Sequence, residues 1–504
     1  MNLPEIGTSA QFEALRGFLA SSGYTQENIC KELQLESPES LDLATLAADL
    51  SERVRTPGLL RTLIRFCLLG DSVSQAELES HIPGRAWAAM HALGLIGETS
   101  GDRTRSFCSV ALYPVGNLFI ASDRWSEPDH KPKQSFPDVV YPALTKSTRE
   151  FLRFLPDSRC GAFLELCGGS GVAALTASAY SQHSWTSDIT ERSTRFAEFN
   201  ILLNGVQNVS AVKGDLYEAV EDRSFDRIVA HPPYMPVLRP AEIYYDGGED
   251  GEQLTRRIFE GLLRYLNPGG RLYCRTLGSD RRETSFEQRL RGWLGNSEHE
   301  FDIALFVSKN LDPTRFAIDS AARRGTGEAE VLQWKALFER LEVRELLTAM
   351  VVAQRRASHR PVFTIRRSLA TTADCCATET VLRWETEMAD PRCAEKIIAT
   401  APLASPRAEL YVRHHLEDGE FTPQDFTLTC NHPFLMDCQI QPWMGYLVAR
   451  CDGSRSIKQL YMECRDNGWI QENTPPGEFA RLMGMLVSAG FLSVEQFTSV
   501  RATK

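Results

Sequence analysis

Between residues 163 and 275, short apolar runs alternate with amphipathic stretches. The runs at 163–166, 183–187, 211–213, 227–230 and 271–275 each read as a buried strand, and a 3.6-residue period predicts helices over 172–180 and 191–204. Strands alternating with helices at this spacing imply a parallel, doubly wound sheet. Ahead of this block the pattern predicts a helix over 59–69, a second opening with the capping-box-like Ser74-Gln-Ala-Glu-Leu, a third over 86–95, and a hairpin within 103–122 around Val110 and Leu112. Three helices and a hairpin outline a winged helix. After the block come a strand at 303–307, a charged helix near 328–342 and an antiparallel pair, 347–354 with 360–365. Helices are expected again over 456–467 and 477–489, with Gly490 capping the second.

These patterns divide the chain into an N-terminal winged-helix-like domain (1–130), an α/β domain (137–370), a connecting extension with few periodic signals (371–408) and a small helical, winged-helix-like domain (409–504). Residues 126–135, rich in Asp, Lys, Pro and Ser, read as a linker.

Composition bounds the picture. At 504 residues the chain has room for about three domains of 100 to 200 residues, and 43% hydrophobic with 24% charged residues excludes disordered and collagen-like chains. Lys plus Arg total 55 against 66 for Asp plus Glu, a net charge of −11 that disfavours nucleic acid as a partner without excluding it. The local exceptions are Arg355-Arg356, His359-Arg360 and Arg366-Arg367. The expected recognition helix, starting Arg85-Ala-Trp-Ala-Ala-Met-His, carries one arginine, which favours a protein contact or substrate lid over base reading. No basic n-region with an apolar core and no long apolar run is present, so a cytoplasmic chain without a membrane segment is expected. The 13 cysteines are scattered with no Cys-x-x-Cys pair, a pattern of reduced thiols, and no metal is expected.

Four motifs follow in order. Glu165-Leu-Cys-Gly-Gly-Ser-Gly joins a predicted strand to a predicted helix, where glycines let the backbone turn sharply and approach a ligand. Dinucleotide-binding enzymes share such a loop, but a kinase-type phosphate loop would need Gly-Lys-Ser/Thr, which is absent. Asp188 stands 23 residues after Glu165 at the next strand end, where a carboxylate can accept both hydrogen bonds of a ribose diol. Asp215 follows the third strand, and His231-Pro-Pro-Tyr234 follows the fourth. Two prolines fix the chain there, so carbonyls can point at a substrate nitrogen while the Tyr234 ring packs against it and stabilises developing positive charge.

This order resembles the class I methyltransferases, above all the release-factor glutamine methyltransferases, which carry Asp-Leu-x-Thr-Gly-Ser-Gly and Asn-Pro-Pro-Tyr. Gly247-Gly-Glu-Asp-Gly251, Arg256-Arg-Ile and Asn267-Pro-Gly-Gly-Arg-Leu are similar too, so the resemblance covers about 163–275. It implies a Rossmann-like, seven-stranded α/β methyltransferase domain that uses S-adenosylmethionine. In it, Glu165, Gly169 and Gly171 line the methionine moiety, Asp188 holds the ribose, Asp215 and Leu216 meet the adenine, and His231, Pro232, Pro233 and Tyr234 form the catalytic loop. Glu165 stands for the usual Asp, and His231 for the Asn that holds the substrate amide or amino group. His231 either fills that position or, with two ring nitrogens, acts as a base. The implied reaction is N-methylation of a planar nitrogen (amide, amine or guanidine) on an amino acid, peptide or protein. An RNA or DNA base is the second reading, and a non-catalytic partner-binding scaffold the third. In the tail, Cys451-Asp-Gly-Ser-Arg-Ser-Ile-Lys-Gln-Leu resembles the small winged-helix domains that recognise peptides in the pyrroloquinoline quinone pathway; a dimerisation or packing module is the other reading.

Overall fold

The computed structural model describes residues 3–43, 50–99, 102–130 and 136–497. The chain divides into two units, the first comprising residues 1–152 and 157–276 and the second 153–156 and 277–504.

The first unit opens with α1 (Ser9–Ser21) and α2 (Gln26–Leu33), each started by a threonine side chain, Thr8 and Thr25, that accepts a backbone N–H of the first turn. Then come α3 (Leu50–Arg53), α4 (Leu59–Leu63) running on as a π-helical turn (Ile64–Leu69), β1 (Val73–Ser74), α5 (Gln75–His81) and α6 (Gly84–Ala92). The single hairpin expected within 103–122 is two. β2 (Ile96–Thr99) and β1 flank β3 (Asp102–Cys108), while β4 (Ala111–Val115) pairs with β5 (Leu118–Ser122). Of the expected linker, 131–135 lies outside the described residues.

After α7 (Lys146–Arg153) the alternation begins: β6 (Cys160–Leu166), α8 (Val172–Ala177), β7 (Ser181–Asp188), α9 (Glu191–Asn204), β8 (Val209–Lys213), β9 (Phe225–Ala230), α10 (Gln253–Tyr265) and β10 (Leu266–Arg281). The strands lie in the order β10-β9-β6-β7-β8, all parallel, with the sequence order reversing on either side of β6. Phe163, Leu164, Ile228 and Val229 are fully buried, as a sheet covered on both faces requires.

The unit border falls at Thr276, and residues 1–130 belong with the first five parallel strands, which departs from the expected borders at 130, 137 and 370. The reason is a clasp on α9. Asn200, buried completely, accepts the Ala121 N–H (2.7 Å) and donates to the carbonyls of Ala121 and Ser170 (both 3.0 Å). One turn on, Asn204 accepts the Phe119 N–H (2.9 Å) and donates to its carbonyl (2.7 Å). Two amides four residues apart thus pair with β5 as a neighbouring strand would. On the same helix Phe199 meets Phe12 of α1 edge to face at 5.2 Å.

The second unit contains α11 (Phe286–Trp293), β11 (Phe301–Leu311), α12 (Pro313–Arg324), α13 (Glu328–Arg340), β12 (Val343–Arg355) and β13 (Thr364–Ser368). The antiparallel pair expected between 347–354 and 360–365 is corrected: β12 runs antiparallel to β11, and β13 pairs with the other edge of β11 in parallel. Asp302 at the start of β11 takes the Arg360 guanidinium and the Phe363 N–H, drawing the connection past β12 to that edge. Among the described residues the first unit thus holds five parallel strands of this alternation and the second holds β11, β12 and β13.

Residues 371–408 are not a plain extension. They form α14 (Cys375–Met388), α15 (Cys393–Ile397) and β14 (Pro402–Ala404), and buried Trp384 of α14 donates to the Gly484 carbonyl at 2.9 Å. The tail is not only helical either. β15 (Ala408–Glu417), β16 (Glu420–Cys430) and β17 (Met436–Ile440) form an antiparallel sheet before α16 (Pro442–Ala449), α17 (Ile457–Asp466) and α18 (Pro476–Ser488), with β18 (Leu492–Val494) paired to β14. Gly490, at φ 85°, ends α18 as expected. Among the described residues no helix is long and apolar enough to cross a membrane.

Candidate functional site

Strand register assembles the motifs. Leu166 of β6 pairs with Ala230 of β9 on one side and Ser187 of β7 on the other, and Asp188 pairs with Lys213 of β8. The glycine loop, Asp188, the turn at Asp215 and the His231 loop therefore all leave the carboxyl ends of four adjacent parallel strands. The sequence order reverses here, and a crevice for a ligand opens in such sheets at this place.

The glycine loop is held by its own geometry. Gly169 and Gly171 sit at φ 53° and 76°, in the left-handed region that favours glycine. At Gly168 a Cβ would lie 1.9 Å from the Thr186 hydroxyl, so this position, which the motif reading passed over, is closed to any side chain. Asp188 accepts the Gly169 N–H (2.9 Å) and the Thr190 N–H (3.1 Å), which aims its half-buried carboxylate along the loop. Asn200, through the Ser170 carbonyl, secures the far side.

Glu165, expected along a methionine moiety, has its side chain buried against α8. It is 3% exposed, and its two oxygens accept the N–H groups of Ala173 (3.1 Å) and Ala174 (3.0 Å) in the first turn of α8. The carboxylate fastens the helix to the strand. Burial pushes its pKa up to about 7, against the helix amides that lower it. The folded protein thus binds this proton more tightly than the unfolded chain does, so Glu165 contributes stability that is fully present below the ordinary carboxyl range and is lost as pH rises to about 7, with no further loss above it. From about pH 4.5 to about pH 7 the melting temperature is expected to fall more steeply with rising pH for the wild type than for Glu165→Gln, with the two curves parallel above that range; curves parallel throughout would contradict this.

Asp215 pairs with Arg257 of α10 at 2.9 Å, and the Leu216 carbonyl accepts the Ser187 hydroxyl at 2.9 Å. Leu216, at φ 53°, turns the chain sharply after β8.

The His231-Pro-Pro-Tyr234 loop is braced from two directions. Gly247 and Gly251 pack on its backbone so closely that a Cβ at either would lie 2.7 Å from the Tyr234 carbonyl carbon or 2.6 Å from its oxygen. The Gly247 N–H also donates to the Met235 carbonyl (2.9 Å). The Gly-Gly-Glu-Asp-Gly segment is therefore the floor of the loop. From the other side comes α7, which the motifs did not flag. Ser147 Oγ lies 3.1 Å from His231 Nε2 and 3.1 Å from the Tyr234 hydroxyl, and Phe151 lies 5.2 Å from the His231 ring. Tyr234 stacks near the same ring at 5.6 Å and 20°. Glu150 pairs with buried Arg275 of β10 at 2.6 Å. Burial, and then the Arg275 charge, lower the His231 pKa to about 3, so the ring is neutral throughout the physiological range. That supports a hydrogen-bonding part for His231 over proton storage.

The arginine runs that spoke for nucleic acid are engaged within the second unit. Arg355 meets Glu300, Arg360 meets Asp302, Arg366 meets Asp280 and Glu287, and Arg367 meets Glu385.

Residues 141–299 match the model of the family described as methyltransferase small domain. The ribosomal protein uL3 glutamine methyltransferase of Bradyrhizobium diazoefficiens is 28% identical over 163 residues, covering 30% of this chain and 51% of that protein. The release factor glutamine methyltransferase of Thermodesulfovibrio yellowstonii is 32% identical over 123 residues, 22% of this chain and 44% of that one. That of Geobacter sulfurreducens is 32% identical over 148 residues, 27% and 51%. The chain thus spans about half the length of the curated relatives it matches. The matches bear out the resemblance to methyltransferases carried by the motif order, over the segment that matches the methyltransferase small domain.

Proposed function

From that family match we propose that the chain is an S-adenosylmethionine-dependent methyltransferase that N-methylates a planar nitrogen, of the amide, amine or guanidine kind, on an amino acid, peptide or protein. The observation that carries this reading is the register. With Leu166 opposite Ala230, the loop suited to the donor and the loop suited to the acceptor begin side by side. Such a transfer depends mostly on holding the nucleophile in line with the methyl group.

The residues present fit the cofactor. Gly168, Gly169 and Gly171 leave the backbone bare beside the strand end, and Asp188 offers a carboxylate there. S-adenosylmethionine, when bound, supplies an electrophilic methyl on a sulfonium. The chain's own part is to bind and orient: Asp188 for the ribose, the turn at Asp215 and Leu216 for the adenine, and the Pro232-Pro233 backbone with the Tyr234 ring for the nitrogen. As charge grows on that nitrogen, backbone carbonyls and the ring face stabilise it. A protein or peptide acceptor suits a net charge of −11 and arginines already paired with acids better than a nucleic acid does.

The test incubates the purified chain with methyl-labelled S-adenosylmethionine and, in parallel, release factors, ribosomal protein uL3, glutamine-bearing peptides and RNA. The first two are tried first because the similar proteins are named for them. Label on a side-chain nitrogen of a protein or peptide is the expected result. Label in RNA alone would overturn the acceptor class.

A further inference from the structure

Ser147, His231 and Tyr234 stand in a row, with the serine oxygen 3.1 Å from each partner. A serine hydroxyl has one hydrogen and two lone pairs, so it can donate to only one of the two neighbours, and when its hydrogen is used within the row it accepts from the other. A row that uses this hydrogen has a direction. A phenol, with a pKa of about 10, is a stronger donor than an aliphatic hydroxyl, and an unprotonated imidazole nitrogen is the strongest acceptor of the three. Running from Tyr234 to His231 puts the best donor at one end and the best acceptor at the other, and bonds aligned in this way polarise one another. The ring carries no second proton, so its lone pair is available. Serine is also fixed in place: the Thr148 N–H donates to the Thr145 hydroxyl at 3.4 Å to start α7, and the Glu150–Arg275 pair fastens α7 to β10.

We propose that Ser147 is a positioning residue of the acceptor site: it takes the Tyr234 phenol hydrogen, gives its own to His231 Nε2, and so leaves the Tyr234 oxygen to accept an N–H of the methyl acceptor. This rests on the methyltransferase reading above and narrows it. The favoured acceptor is a planar nitrogen that carries N–H, as in an amide or guanidine. A substrate offering only a carbonyl or carboxylate oxygen to Tyr234 meets no hydrogen there.

The test reads the His231 tautomer in the full chain labelled with ¹⁵N-histidine, the ring signals being assigned by their loss in His231→Gln. The expected wild-type result is a proton on Nδ1 and none on Nε2, with the Nε2 signal displaced in Ser147→Ala and restored in Ser147→Thr, which keeps the hydroxyl. A proton on Nε2 in the wild type reverses the direction and overturns the proposal, as does an Nε2 signal indifferent to Ser147→Ala. The wild-type tautomer decides even where the alanine variant does not fold. Calorimetric titration of S-adenosylmethionine into the same samples separates the failures. A wild type that does not bind it fails the methyltransferase reading; a wild type that binds it but holds the proton on Nε2 fails only the Ser147 assignment.

Discussion

Asp188→Ala is expected to weaken S-adenosylmethionine binding by about 100-fold, with little change in melting temperature. A carboxylate that accepts two hydrogen bonds from a ribose diol contributes on the order of 1.5 kcal/mol through each, and about 3 kcal/mol is two powers of ten in affinity. A second loss adds to it, since Asp188 also holds the Gly169 N–H. Asp188→Asn keeps one acceptor oxygen and is expected to fall between alanine and wild type. The side chain is only half-buried and its protein partners are N–H groups at a strand end, which water can satisfy, so the fold is expected to stand. Isothermal calorimetry beside thermal melts reads both quantities. Wild-type affinity in the alanine variant would place the ribose elsewhere.

Asn200→Ala is expected to do the opposite, costing the fold heavily. It strands the Ala121 N–H and leaves the carbonyls of Ala121 and Ser170 short of a donor, in a place closed to water. Each unsatisfied buried polar group costs about 1 to 3 kcal/mol, so a loss of about 3 to 5 kcal/mol is expected. Asn200→Asp separates the parts, because it keeps an acceptor for the Ala121 N–H and loses both donations. Denaturant unfolding measures the cost, and a change below about 1 kcal/mol would mean that the clasp contributes little beyond what α9 packing provides. Because one of the three partners is the glycine-loop carbonyl of Ser170, surviving folded protein is expected to bind the cofactor more weakly as well.

The parts legible in the sequence are those where burial and local geometry repeat a simple rule. Strands covered on both faces leave continuous apolar runs, so 163–166 and 227–230 stood out, and the structure extends each by a few residues. The borders of α9 were readable to the residue, since Thr190 caps its start and Gly205, at φ 66°, ends it. The tail sheet was hidden for the converse reason. No residue of β15 is buried, so its sequence shows no alternation between a wet and a dry face. Residues 375–388 give little periodic signal because the helix there, with three threonines, owes its place to Trp384 and its neighbours packing against later parts of the chain. Strands next to each other in sequence usually pair as a hairpin, which points 360–365 at β12; β13 instead joins β11, where Asp302 grips Arg360 and the Phe363 N–H.

Within the site, the loops were legible and their neighbours were not. Glu165 was visible as a motif position, but the motif could not show that helix amides would occupy both its oxygens. The type of residue 231 left two roles open; a dense surround and Arg275 argue for one of them. Ser147 gave no signal at all. It is a small hydroxyl residue 84 and 87 positions away from the groups it meets, and only the folded chain brings them together.

The asparagine pair on α9 also bears on what can be inherited or cloned as a piece. A fragment beginning at 137, the natural border if motifs alone are consulted, would leave behind the strand to which Asn200 and Asn204 are bonded, and would expose Phe199 where α1 had covered it. Its loops would still spell a methyltransferase, yet the helix behind them would present bare amides and an aromatic face to solvent. The segment that bears the motifs and the compact unit that contains it are therefore of different lengths, and α1 and β5 travel with the motifs because they cover α9.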